Sequence, residues 1–462
     1  MAIRQLRLSL LCISSVCATL GGSASAERSD DVAGSVYDAY KAAEASETDA
    51  EDAGTVRGAI IAALTHNPQI RIAAAQHDQA KAERFRALGG FLPDIEATAT
   101  YTDEDWRNSG ALPTTGSDGT TIGVTAVQPV FQGLSAINRF RAARSRVLQA
   151  ELALLSVMQQ TALDAARAHA GVILARSIVD HRIENMSLVN RQLTVSEKRA
   201  QAGAQSRTGV EQAKMRLAQA QVDLGQARTN LAQQEAAFIR IVGRPPAVGL
   251  TPDESNLTEL FASAEEAVAA ARTYNPAISA ADAAATAAKF DKNASLGAFA
   301  PRLTLEGSYI RRYGEDPLIP SQEDEEYQLL ARMRVPIFRQ GGNIAATQSA
   351  NATVAQQEAQ LTAAILAVDE IVYRSWRQLA EASARAIAAK SGIDAARQSV
   401  KGLELEYEAG QRSVIDVLDG QRDLVIAQIN ASQAEFELRV SQYELAAATG
   451  AILDRYGVSI DQ

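Results

Sequence analysis

The chain has 462 residues, is 47% hydrophobic but only 5% aromatic, and carries a formal charge of −10. That acidity argues against a nucleic-acid binder, which needs Lys and Arg patches to meet phosphates. Both cysteines, Cys12 and Cys17, fall in an N-terminal leader, so neither disulfides nor thiolate chemistry are expected in the mature protein.

The leader reads as a secretory signal over residues 1–26. Arg4 and Arg7 give a positive start, residues 8–20 are mostly apolar, and Ala24-Ser25-Ala26 is a small-residue cleavage site. Its apolar core is too short to span a bilayer as a helix. Leu11 and Val16, which precede the cysteines, are not the small residues a lipid-attachment site needs. Residues 27–54 are acidic, lack large apolar side chains and read as a linker.

Helical periodicity begins at Thr55. Asn67 is a good N-cap and Pro68 a good first helical residue, so one helix ends near His66 and another runs to about Leu88, before Gly89-Gly90. Two strands follow, near 93–105 and 120–131. In the first, Ile95, Ala97, Ala99 and Tyr101 alternate with Glu96, Thr98, Thr100 and Thr102. A helix of nearly 70 residues is then expected from Leu134 to about Ala202, without a proline and with apolar residues at spacings of three and four. Charge spread along it excludes a membrane span and favours coiled coil. It turns at Gly203, and a shorter helix returns over 210–242.

The same landmarks recur about 208 residues later. Asn67-Pro68 returns as Asn275-Pro276. Phe91-Leu92-Pro93 returns as Phe299-Ala300-Pro301, Pro129-Val130-Phe131 as Pro336-Ile337-Phe338, and Ala202-Gly203 as Ala409-Gly410. Two structural repeats are therefore expected, over 55–255 and 256–450, with a tail at 451–462. The second has strands near 301–313 and 325–338, a long helix from Ile344 to about Glu408, and a return helix from Val414 to Thr449.

Four strands cannot enclose a lumen, because the smallest membrane barrels have eight. Open strand edges are not tolerated in lipid. The chain is thus expected to oligomerise, and three copies would supply twelve strands. Phe91, Phe131, Phe299 and Phe338 lie at the helix-side ends of the strands, and Tyr101, Trp106, Tyr309, Tyr313 and Tyr327 towards the loop ends. Two such girdles match the two interfaces of a membrane.

The run Tyr407-Glu408-Ala409-Gly410-Gln411-Arg412-Ser413-Val414-Ile415-Asp416-Val417-Leu418-Asp419 resembles the periplasmic tip turn of the TolC-like outer-membrane efflux ducts. The Asn-Pro helix starts, the Leu-Pro before the first strand and the Pro-Ile-Phe followed by Gly-Gly are also similar to that family. The resemblance extends from Thr55 to Gly450. It implies a mainly α homotrimer: a twelve-stranded outer-membrane β-barrel, four strands per chain, continued by a long periplasmic α-helical barrel with a mixed collar. Residues 243–262 and the tail would belong to the collar. The implied function is a passive exit duct of a tripartite efflux or type I secretion system. Its helix tips would open when an inner-membrane ABC or RND-type transporter and a periplasmic adaptor dock near Gly203 and Gly410.

Asp416 and Asp419 lie three apart and so share one helix face. The resemblance implies a selectivity ring there, six carboxylates in a trimer, able to bind cations and expected to raise one another's pKa values. It also implies that Tyr407 and Arg412 lock the closed tip against the neighbouring hairpin. Relatives carry Thr-Asp at the partner site, whereas this chain has Thr208 and Gly209. Two alternatives follow: a weaker lock, or another carboxylate such as Glu211 in its place.

His66, His77, His169 and His181 show no metal-ligand spacing, and no nucleophile elbow, HExxH or phosphate loop is present. No metal, cofactor or catalytic role is expected, so transport would be driven by partners. A periplasmic coiled-coil adaptor needs one hairpin rather than two and no strand pairs. An exported enzyme lacks a catalytic cluster, and a purely structural coiled coil does not account for the strands. Drugs, metal ions and a secreted polypeptide remain alternative cargoes.

Overall fold

A computed structural model describes residues 54–106, 115–203, 206–252, 261–314 and 324–457. The signal peptide and nearly all of the acidic linker lie outside them. The elements in chain order are α1 (Val56–His66), α2 (Pro68–Gly89), β1 (Asp94–Trp106), β2 (Thr115–Phe131), α3 (Ser135–Gln201), α4 (Arg207–Val242), α5 (Ala264–Tyr274), α6 (Pro276–Leu296), β3 (Arg302–Gly314), β4 (Asp324–Arg334), α7 (Gly342–Glu408), α8 (Val414–Ala448) and α9 (Ile452–Arg455). A two-helix, two-strand, two-helix order thus occurs in each half of the chain.

Both Asn-Pro pairs do the same work. The Asn67 side chain accepts from the Gln69 amide at 2.9 Å, and the Asn275 side chain accepts from the Ala277 amide at 2.9 Å. Each satisfies an amide that the first helical turn leaves over. Helices α3 and α7 have 67 residues each, roughly 100 Å at 1.5 Å per residue.

The strands form one antiparallel sheet in the order β1-β2-β3-β4. Strand β2 begins at Thr115 rather than near 120, because Thr115–Gly119 pair with Thr102–Trp106 of β1. Strand β4 ends at Arg334, short of 338, where Pro336 would bring no N–H to the ladder. The register between β2 and β3 likewise shifts between Pro129 and Phe131. One face of the sheet is apolar and exposed among the described residues: Ile95 is 67% exposed, Leu329 77% and Met333 68%.

Contacts divide the chain into two compact units that cut across the sequence halves. One comprises Met1–Ile70, Val157–Ala267 and Val372–Gln462, and the other Arg71–Ser156 and Val268–Ile371. Each unit takes pieces of both halves, so the duplication does not yield two separate bodies. The first unit buries Ile60, Phe238, Tyr443, Leu445, Ile452 and Leu453 completely or nearly so. The second, which holds the sheet, buries mainly alanines, among them Ala142, Ala143, Ala283 and Ala294. Small side chains let helix backbones approach closely, which is what the alanine-rich composition supplies.

Candidate functional site at the hairpin tips

Gly203 and Gly410 follow α3 and α7 with φ of +73° and +74°, a left-handed conformation that glycine adopts without strain. The Gln411 amide reaches back to the Glu406 carbonyl at 2.8 Å and closes the second turn. Ser206 caps α4 through the Gly209 amide at 3.3 Å, and Ser413 caps α8.

Asp416 is the third residue of α8. Its carboxylate accepts from the Ser413 amide at 2.9 Å and the Ser413 hydroxyl at 2.7 Å, completing a capping box. Hydrogen bonds from the Ser413 side chain and backbone hold its carboxyl below the usual range. Within one chain this direction is opposite to that of crowded carboxylates, because Asp416 already has two donors.

The sign follows from the lowered pKa. The carboxylate's stabilisation is full above the ordinary value of 3.8 and is lost as pH falls through the folded value. Ser413→Ala is expected to lower hydrogen-exchange protection in the first turn of α8 roughly fivefold near neutral pH, and by less in acid. Equal protection in both proteins at neutral pH would show that the cap contributes nothing.

Asp419 accepts from Arg216 of α4, a residue 203 positions away. The pair joins the two return helices, α4 and α8. Beneath it, Val189, Ala213, Val414 and Leu418 form a buried cluster flanked by Leu193, Leu217 and Tyr407, so all four hairpin helices meet there. Asp423 lines the same groove as Asp416 and Asp419, beside Ser399 and Leu403 of α7. The face therefore carries three carboxylates; Asp423 was missed in the sequence, where its helical spacing from Asp416 and Asp419 is the signal that would have found it. Nothing in the sequence signalled Arg216.

The four residues of the expected lock are not joined to one another. Tyr407 lies under the Arg199 guanidinium, 4.5 Å from the ring centroid, while its buried hydroxyl has no hydrogen-bond partner among the described residues. Arg412 pairs with Glu406 of its own hairpin at 2.8 Å, not with Asp416, and that bond raises its pKa further. Thr208 is exposed in the first turn of α4. Glu211 pairs with Lys214 at 3.0 Å on its own helix and is not the substitute carboxylate within the chain.

Among the described residues, no group of His, Cys, Asp or Glu is arranged to hold a metal ion, and no helix is long and apolar enough to cross a membrane. His181 stands beside Ser177 and Ser432, at 3.3 and 3.5 Å, in a small hydroxyl cluster between α3 and α8.

Comparison with known proteins agrees with this architecture. The chain is 28% identical over 412 residues to the outer membrane efflux protein BepC of Brucella suis, covering 88% of each chain. It is 24% identical to the outer membrane protein TolC of Vibrio cholerae, covering 85% of this chain and 90% of that one. The solved structure of CusC superposes with a TM-score of 0.76 at 19% identity, covering 86% of this chain and 92% of the other. The model of the family described as outer membrane efflux protein matches twice in tandem, over residues 59–244 and 267–451, and the chain belongs to that family.

Proposed function

We propose that three copies of this chain pool their sheets into a twelve-stranded outer-membrane barrel, continued into the periplasm by a barrel of helices. The observation that carries this reading is an antiparallel four-stranded sheet whose outer strands, β1 and β4, have edges that no other described strand pairs with and whose apolar face is exposed. Unsatisfied backbone groups cost several kcal/mol each in lipid, so such edges demand partners of the same kind. The chain is an outer-membrane exit duct of efflux or secretion. It has no energy source of its own in this reading, performs no catalysis and takes no cofactor. An inner-membrane ABC or RND-type transporter drives cargo into it, and a periplasmic adaptor docks on the tips around Gly203 and Gly410. Detergent-solubilised protein is expected to run as a trimer and to conduct ions in a planar bilayer; a stable monomer without conductance refutes the assembly.

Asp416 and Asp419 form the selectivity ring of the proposed pore, with Tyr407, Arg412 and Thr208 at its periplasmic gate. Thr208 lacks an acidic neighbour at Gly209, so this gate has a lower barrier than one with the acid. Asp416→Asn combined with Asp419→Asn is expected to raise the divalent-cation concentration for half-block by about tenfold. Single-channel recordings with unchanged block would remove both residues from the ring.

A further inference from the structure

At the foot of the sheet, a niche of about 580 Å³ lies among α2, α3, α6 and the first residue of β3. Four arginines line it, Arg86, Arg139, Arg146 and Arg302, against two carboxylates, Glu83 and Asp291. Both carboxylates are engaged: Glu83 pairs with Arg86 at 2.9 Å, and Asp291 pairs with Arg146. Arg139 also acts on Asp291 through its charge, without a close ion pair, and Arg302 has no ion pair among the described residues.

The register supplies an independent observation. Arg302 stands directly opposite Arg334 across β3 and β4, and Arg334 has no ion pair among the described residues. Like charges directly opposite on one face of an antiparallel pair repel. Four arginines against two carboxylates thus leave the niche with an excess of positive charge in a chain of net charge −10, and Arg334 adds to it from the strand opposite. A guanidinium fork matches the oxygens of phosphate in two-pronged fashion.

Strand alternation fixes the side on which the niche opens. Arg302 shares its face with Thr304, Glu306 and Ser308, and Arg332 pairs with Glu306 on that face at 3.1 Å. Leu303, Leu305 and Tyr309 point the other way. Helix α3 follows β2, and α6 leads into β3, so the niche belongs to the two inner strands.

We infer that this niche binds a phosphate-bearing solute inside the duct, through Arg139 and Arg302 with Arg334 alongside. The binding rests on the residues of one chain, whereas its place in a lumen rests on the trimeric reading above.

Calorimetric titration of the detergent-solubilised full chain with inorganic pyrophosphate tests this directly. One site per chain is expected, weakened about tenfold or more by Arg139→Gln with Arg302→Gln. Arg139→Lys with Arg302→Lys keeps the charge and is expected to restore part of the affinity, which separates binding from misfolding. Arg397→Gln, on the distant surface of α7, is expected to change nothing. Equal affinity in the wild type and the glutamine variant, or no binding to either, overturns the proposal. Binding of phosphatidylglycerol in nanodiscs without binding of pyrophosphate also overturns it, by placing the niche on lipid. A protein that forms conducting trimers but ignores pyrophosphate refutes the niche and leaves the duct intact. A monomer that still binds pyrophosphate refutes the duct and leaves the niche.

Discussion

Replacing Gly133 with alanine is expected to destabilise the chain more than any other single glycine substitution at the sheet. Gly133 lies in the middle of the link from β2 to α3 with φ of +62°. A Cβ there would lie 2.3 Å from the Cβ of Ala300 and 2.8 Å from the Gly297 carbonyl oxygen. The obstacles are backbone and a short side chain on the turn that leads into β3, so neither can swing aside. Strain in the left-handed region costs about 1 kcal/mol, and the overlap adds to it, for a total of about 3 kcal/mol or more. The corresponding link from β4 to α7 provides the control. Gly341 has φ of +75°, and nothing lies within 4 Å of its added Cβ. Gly341→Ala should therefore show the strain alone. Urea denaturation and the yield of assembled protein are the measurements; equal losses in the two variants would mean that the close approach at Gly133 carries no weight.

The two links also show what was legible in the sequence. Asn67-Pro68 and Asn275-Pro276 announced their helix starts because capping is local chemistry: a side chain two residues from an amide. Gly203 and Gly410 announced the hairpin turns for the same reason, since a positive φ is a property of one residue. Period-two alternation revealed the strands, but not where β2 begins. Gly116-Ser117-Asp118-Gly119 has the composition of a loop, yet its backbone is laddered to β1, and the partner strand decides that. The approach of Gly133 to Ala300 joins the two halves of the chain and has no local signature. At the tips, Asp416 and Asp419 were picked out by their spacing of three and by the resemblance of the tip turn, whereas the capping role of Asp416 was not foreseen, although Ser413 three residues earlier is its local signal. The charge that meets Asp419 could not be read, because Arg216 lies on another helix, and only the packing of α4 against α8 brings them together.

That charge sets the second large effect. Arg216→Glu is expected to open the resting pore, and Asp419→Arg in the same chain is expected to close it again. Arg216 is the less exposed partner, at 25% against 48% for Asp419, so the pair is partly screened and contributes on the order of 0.5 kcal/mol. Reversal removes that attraction and adds a repulsion of similar size, which brings the change to about 1 kcal/mol per chain. In the proposed trimer the three tips move together, and the per-chain changes add to about 3 kcal/mol, or roughly a hundredfold in the ratio of open to closed pores. Two other charged residues of the tip do not oppose this, since Arg412 is held by Glu406 within its own hairpin and Glu211 by Lys214. Single-channel conductance at rest should rise steeply in Arg216→Glu and return towards the original value in the charge-swapped double variant. High salt should shrink the difference, because exposed charges are screened within about 10 Å at 0.1 M ionic strength. A single variant as tightly closed as the original, or a double variant as leaky as the single, would show that the contact between α4 and α8 does not govern opening, and would leave the buried cluster around Leu418 as the element that does.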